Sequence, residues 1–526
     1  MTDSTTARRQ RRRDRVAGMP RGVRTAAAVA ALGALLALTG CVSSLLTPQQ
    51  PVSTPTGEQV DAELRPFYTQ VLEWERCGDD LGCATATAPL DWNDPSAGET
   101  ELALVRHVAT GDKLGSLLVN PGGPGGSGYD FVADSLDFAV GEPLQERFDV
   151  VGFDPRGVGR SSGVACYDAA EMDDYLFGIT PGERGSDEWI AAVEIAERDF
   201  GEACAENTDE LLGNVDTESA ARDMDLLRAV LGDERLNYLG FSYGTFLGAT
   251  YAELYPDKVG KLVLDGAIDP AASETEVSQA QAVGFENALK AYLEFCLADT
   301  ECPFDGTVDE AVDEIGRLLA SVDQSPLRGT DGRLVGADTL VTAIIYPLYS
   351  ADSWPYLGDM FESVMFGDAD MALAFADGYY GRNPDGTYLD NSTEAFTAVN
   401  CLDYTYQSDV AVMREKAAAV AEVAPIIGPY FGFGDLGCVN WPYQGDRERA
   451  EIHAKGADPI LVVGTTGDPA TPYDWAVALA EQLDSGVLVS YEGEGHTAYN
   501  KSNACVDEAV ESYFIDGTVP TADPKC

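Results

Sequence analysis

The stretch LNYLGFSYG, residues 236–244, decides the fold of this chain. It begins as a short apolar run typical of a buried strand, and a helix is predicted from about Gly244 to Tyr255. The pattern G-x-S-x-G between a strand and a helix is typical of a nucleophile elbow, a strained turn that exposes a serine hydroxyl. Glycine on both sides of this turn leaves room beside Ser242. The helix dipole then favours an anion that develops next to the hydroxyl, so the sequence predicts Ser242 as a nucleophile.

Strand and helix signals alternate on both sides of this turn, which predicts a mostly parallel sheet covered by helices on both faces. The predicted strands are 116–120, 148–153, 236–240 and 261–264 in a first block, and 460–464 and 486–491 in a second. With the serine turn, this pattern predicts the α/β-hydrolase fold. The core is expected at 61–269 and 401–526, and the helical, polar segment 270–400 is expected to be a lid over the catalytic edge.

The chain has three histidines, which allows the catalytic base to be chosen by elimination. His107 lies in a strand-like segment before the catalytic block, and His453 lies in polar sequence. His496 follows a strand in the Gly-rich turn GEGH and gives the chain order serine, acid, histidine. The sequence therefore predicts His496 as the base and the other two as surface or packing residues.

The acid that orients this histidine should end a strand between Ser242 and His496. Asp468 follows the strand ILVVG and is the preferred candidate. Asp265, which follows the strand KLVL, is the alternative because some hydrolases place the acid there.

The glycine-rich turn PGGPGGSG, residues 121–128, follows a predicted strand. Its backbone can approach a substrate carbonyl closely, and we expect the N–H groups of Gly123 and Tyr243 to form an oxyanion hole. A phosphate-binding loop is the alternative, but the Lys-Ser/Thr of a P-loop and the acidic partner of a dinucleotide site are missing. No cofactor is predicted.

The net charge of −54 excludes nucleic acid as a partner, since no basic stripe offsets it. Such acidity would attract cationic ligands such as peptide amines, although solubility is the simpler explanation.

The N-terminal residues 1–41 have the three parts of an export signal: an arginine-rich segment, the apolar run 25–38 and the sequence LTGC. This last sequence resembles the lipobox of bacterial lipoproteins, in which Cys41 would be lipidated. The alternatives are an ordinary signal peptide or an uncleaved anchor, and a twin-arginine signal is poorly matched. Residues 42–60 are expected to be a flexible tether. The protein is thus predicted to be exported, either lipid-anchored on the extracellular face of the cell membrane or secreted.

The other ten of the eleven cysteines suggest disulfides in an oxidising compartment. Sequential pairing is the simplest prediction: Cys77 with Cys83, Cys166 with Cys204, Cys296 with Cys302, Cys401 with Cys438, and Cys505 with Cys526. Without a CxxC pair or a Cys/His cluster in the sequence, no metal site is predicted.

Several ordered motifs resemble those of the secreted tripeptidyl aminopeptidases of actinobacteria and, more distantly, the proline iminopeptidases. They are GGPGGSG, GFDPRGVGRSS, GFSYGT, the Asp468 and His496 turns, and the C-terminal stretch from about residue 438. Pro121 stands where proline iminopeptidases have histidine, which favours the tripeptidyl branch. The resemblance implies an exopeptidase that acts on peptides with a free N-terminus. It also implies acidic residues near the cap that bind the substrate ammonium, with Asp403 as a candidate; a solvated carboxylate is the alternative.

Two other functions remain open at the level of sequence. The same machinery would serve an esterase or lipase, because fold does not determine the substrate. A catalytically idle adhesion protein is disfavoured by the complete set of Ser242, Asp468 and His496.

Overall fold

The computed structural model describes residues 52–445 and 447–526. The predicted export signal with Cys41 and the first part of the tether lie outside the described residues. No helix in the described part has the length and apolarity needed to cross a bilayer.

Nine strands of the described chain form one sheet, in the order β1-β2-β3-β5-β4-β6-β7-β10-β11. They are β1 (Glu75–Arg76), β2 (Leu81–Asp91), β3 (Asp94–His107), β4 (Gly115–Asn120), β5 (Phe148–Phe153), β6 (Leu236–Phe241), β7 (Val259–Asp265), β10 (Ile460–Gly467) and β11 (Gly486–Glu494). The strands from β5 to β11 in this order pair in parallel, and β1, β2 and β3 extend the sheet with antiparallel pairs.

Helices cover both faces of the sheet. Those of the first block are α1 (Arg65–Tyr68), α2 (Gly128–Ala139), α3 (Glu142–Arg147), α4 (Ala169–Phe177), α5 (Asp187–Thr208), α6 (Thr217–Leu231) and α7 (Tyr243–Leu254), and those of the second are α16 (Tyr473–Gln482) and α17 (Ala504–Asp516). Alternate strand residues pack into different apolar clusters: Leu118 faces α6, α7 and α16, whereas Leu117 and Val119 face α2, α3 and α17. The central strands are therefore buried on both faces, which explains their continuous apolar sequences.

An insertion between β7 and β10 forms a cap with its own apolar core. It contains α8 (Glu274–Leu297), α9 (Val308–Gln324), the short hairpin β8 (Leu327–Arg328) and β9 (Leu334–Val335), α10 (Ala337–Leu348), α11 (Trp354–Met365), α12 (Asp370–Tyr380), α13 (Ser392–Asp403), α14 (Val410–Val423) and α15 (Leu436–Val439). Short 3₁₀ turns lie at Asp209–Asn214, Pro256–Lys258, Ala351–Ser353 and Gly428–Tyr430.

The chain has the predicted α/β-hydrolase fold, and each predicted strand overlaps an observed one. The predicted lid boundary at residue 400 falls inside α13, and the sheet resumes only at Ile460. The helices at the end of the insertion are as polar in sequence as the helices of the core, so composition did not show where the insertion ends.

Five disulfides join the cysteines in sequential pairs, from Cys77–Cys83 to Cys505–Cys526. Cys401–Cys438 connects α13 to α15 within the insertion, and Cys505–Cys526 ties the C-terminus to α17.

Candidate active site

Ser242 lies between β6 and α7 in a strained conformation, with φ 56° and ψ −125°. A residue other than glycine rarely has a positive φ, and the cost is of order 1–3 kcal/mol. The turn is held because Ser242 N–H donates to the carbonyl of Asp265 at 2.9 Å. A Cβ on Gly240 would lie 2.4 Å from the carbonyl oxygen of Gly244, so the glycines of the motif are required by close packing.

His496 lies in the turn after β11, beside a carboxylate that follows β10. Its Nδ1 is 2.9 Å from both oxygens of Asp468. Asp468 is 3% exposed and also accepts hydrogen bonds from the N–H groups of Ala470 and Thr471 and from the Thr471 hydroxyl. These donors hold the carboxylate at the position where it can accept a hydrogen bond from Nδ1 and leave Nε2 free.

Asp265, the alternative acid, is fully buried at the end of β7. Its carboxylate contacts the backbone of the turn that carries His496. It accepts hydrogen bonds from Ala498 N–H at 3.0 Å and Tyr499 N–H at 2.8 Å. Burial raises the pKa of Asp265. The structure thus places Asp468 against the imidazole and Asp265 against the backbone that follows it.

The glycine-rich turn lies next to the serine. A Cβ on Gly122 would be 2.8 Å from Cβ of Ser242 and 3.0 Å from the backbone nitrogen of Tyr243. Gly123 has φ +112° and lines the same cavity as Ser242. Buried Asp154 fixes the far end of the turn by accepting from the Ser127 hydroxyl at 2.5 Å and from Tyr129 N–H.

A cavity of about 600 Å³ connects these groups. Its floor contains Gly123, Ser242, Thr471 and His496, and cap residues cover it. The aromatic residues around it are Phe285, Tyr349, Tyr379, Tyr380, Phe396 and Phe431. In the described ranges, no Asp, Glu, Lys or Arg residue lines it.

Asp403, the predicted contact for the substrate ammonium, is not among the described residues that line this cavity. Asp403 is 3% exposed and accepts hydrogen bonds from Thr217 N–H at 2.8 Å and the Thr217 hydroxyl at 2.5 Å. The same hydroxyl contacts the Tyr243 hydroxyl. Through Thr217, Asp403 therefore supports Tyr243, the first residue of the helix that follows Ser242. Burial raises its pKa to about 7.

Two further residues at the site carry no signal in the sequence. Thr471 lies 3.3 Å from His496 Nδ1 and supports Asp468. Tyr349, at the end of α10 in the cap, accepts a hydrogen bond from His496 N–H at 2.9 Å. Thr471 lies in the loop after β10, three residues after Asp468. The role of Tyr349 depends on how the insertion folds back over the sheet edge.

The comparisons with known proteins agree on one family. Residues 424–526 match a family described as TAP-like protein. Serine protease Hip1 of Mycobacterium tuberculosis is 36% identical over 88% of this chain and 92% of its own length. Carboxylesterase B of Mycobacterium tuberculosis is 38% identical over 91% and 92% of the two chains. Tripeptidyl aminopeptidase of Streptomyces lividans is 30% identical over 86% of each.

Proposed function

The chain belongs to the family of α/β-hydrolase serine hydrolases that includes Hip1 and tripeptidyl aminopeptidase, and from this premise we propose that Ser242, His496 and Asp468 are its catalytic triad. The protein is a serine peptidase of the α/β-hydrolase type. The observation that carries the proposal is the buried Asp468 carboxylate on His496 Nδ1, in a cavity that Ser242 shares.

In the acylation step, Ser242 Oγ attacks the substrate carbonyl carbon while His496 Nε2 takes the hydroxyl proton. Asp468 holds the opposite edge of the ring and stabilises the imidazolium. The N–H groups of Tyr243 and Gly123 receive the oxyanion. Collapse of the intermediate breaks the C–N bond, and His496 returns the proton to the leaving amine. Water then hydrolyses the acyl-enzyme by the same steps.

We further propose that the enzyme removes short peptides, such as tripeptides, from free N-termini outside the cytoplasm. A cap-covered cavity of about 600 Å³ suits a short acyl segment better than the middle of a long chain. Since no described carboxylate lines it, carbonyl oxygens, hydroxyls or aromatic faces would hold the ammonium. Five disulfides support an oxidising compartment, and Cys41 remains the proposed lipid anchor.

Steady-state cleavage of matched chromogenic substrates tests this function. The set contains a free and an N-acetylated tripeptidyl amide, a prolyl amide and a butyrate ester, all with uncharged side chains. We expect only the free tripeptide to be cut, Ser242→Ala to abolish cleavage, and Ser321→Ala, an exposed serine in α9, to retain it. Equal cleavage of the acetylated tripeptide would refute the aminopeptidase proposal and leave the triad intact.

An esterase is the second candidate, because one relative of 38% identity bears the name Carboxylesterase B and six Phe and Tyr residues line the cavity. Cleavage of the butyrate ester without any amide would favour it.

A further inference from the structure

Four consecutive backbone N–H groups fix the turn that carries His496. Thr497 N–H donates to Asp468 at 3.1 Å, and Ala498 and Tyr499 donate to Asp265. Both acceptor residues, Asp468 and Asp265, belong to the hydrolase core. The first of the four, His496 N–H, donates instead to the carbonyl of Tyr349 at 2.9 Å, which belongs to the cap.

This turn depends on its partners because its backbone is strained. Thr497 has φ 66° and Asn500 has φ 62°, both in the left-handed region that residues other than glycine rarely adopt. Gly495, with φ +100°, lies against the cap: a Cβ there would be 3.2 Å from the Tyr349 carbonyl oxygen. If one of the four N–H groups loses its hydrogen-bond acceptor, the strained backbone is expected to relax at that position.

The side chain of Tyr349 contacts the imidazole as well. The two rings meet edge to face, with centroids 5.4 Å apart and an interplanar angle of 84°. On its other side, Tyr349 lies 5.6 Å from the ring of Phe285, which belongs to the apolar core of the cap. Tyr349 therefore connects the cap core directly to both the backbone and the ring of His496.

We propose that Tyr349 is a positioning residue that makes the orientation of His496 depend on docking of the cap. This inference rests on the proposed role of His496 as the base. Because Tyr349 and Phe285 also line the cavity that Ser242 shares, a change in cap docking alters the cavity wall and the histidine turn together.

The test compares Tyr349→Leu, which removes the ring, with Tyr349→Phe, which keeps it. The matched control is Tyr356→Leu, at a 60% exposed tyrosine of α11. For each full-length variant we would measure kcat, KM, the melting temperature and the rate at which a small fluorophosphonate labels Ser242. This reagent needs the base but does not fill the cavity.

We expect Tyr349→Leu to lower both kcat and the labelling rate by roughly 10- to 100-fold, as for a base displaced by a fraction of an ångström to 1 Å. Tyr349→Phe should restore both, and Tyr356→Leu should match the wild type. If Tyr349→Leu does not fold cooperatively, Tyr349→Met takes its place with the same expectation. Labelling at the wild-type rate in the ring-deleted variant, or an equal loss in Tyr349→Phe, would overturn the inference. Failure of the wild type to label at Ser242 would instead refute the proposed triad.

Discussion

The substitution Asp468→Asn separates the two carboxylates that could serve as the acid. It keeps the size of the side chain and removes its charge at 2.9 Å from His496 Nδ1. The matched variant Asp265→Asn removes the other carboxylate that contacts the turn of His496. The hydrogen bonds of Asp265 come from backbone N–H groups of that turn.

The expected effect follows from the contact distance. An imidazolium and a carboxylate 2.9 Å apart attract each other by about 6 kcal/mol at an effective dielectric constant of about 20. At about 1.4 kcal/mol for each factor of ten, losing this attraction in the transition state lowers kcat by about 10⁴. Asp265→Asn should lower kcat by no more than about tenfold. Its main effect should be a lower melting temperature, because buried backbone N–H groups lose a carboxylate acceptor.

The assay is kcat on the best amide substrate, with thermal melting of each variant and active-site titration to count folded enzyme. A loss of less than about tenfold in Asp468→Asn, or an equal loss in Asp265→Asn with an unchanged melting temperature, would refute the assignment of the acid.

Three other predictions concern the elements around the site. Gly122→Ala should lower kcat by at least about 100-fold, since the new Cβ would meet the carbonyl oxygen of Phe241 at 2.5 Å; near-normal turnover per titrated site would contradict the proposed oxyanion turn. Asn391→Ala should lower the free energy of unfolding in urea by about 2–4 kcal/mol, because the Asn391 side chain makes three hydrogen bonds to the backbone of residues 157–164. A loss below about 0.5 kcal/mol would mean that these hydrogen bonds do not stabilise the fold. The wild type should lose stability as pH rises from 5 to 8, because folding raises the pKa of Asp403 from 3.8 to about 7 and only the unfolded state has released this proton at pH 5. Asp403→Asn should therefore gain about 2–3 kcal/mol relative to the wild type over this range, and a constant difference in unfolding free energy would argue against the shift.

The strands and the strained turn at Ser242 were predictable because their signals are local. A buried parallel strand is apolar throughout, and the serine turn needs glycines at fixed offsets from Ser242. The order of the motifs then restricted the base to His496. The same reasoning left Asp265 as an alternative acid, since both candidates end parallel strands at the same sheet edge.

The position of Asp403 away from the cavity that Ser242 lines could not be predicted, for a physical reason. A carboxylate beside a disulfide in helical sequence can face either solvent or the interior, and only the packing of α13 against α6 turned it toward Thr217. The sequence around Asp403 contains no residue that requires either orientation.

The sequence by itself determined the sheet, the strained serine turn and the order of the candidate catalytic residues, because each depends on neighbours within a few positions. Only the tertiary structure decided which carboxylate meets the imidazole, where the insertion ends and that Tyr349 contacts His496. Tyr349 and His496 lie more than a hundred positions apart along the chain, and Asp265, Asp468 and His496 lie at or just after the ends of three different strands. Such contacts follow from how the sheet and the cap pack rather than from any local pattern.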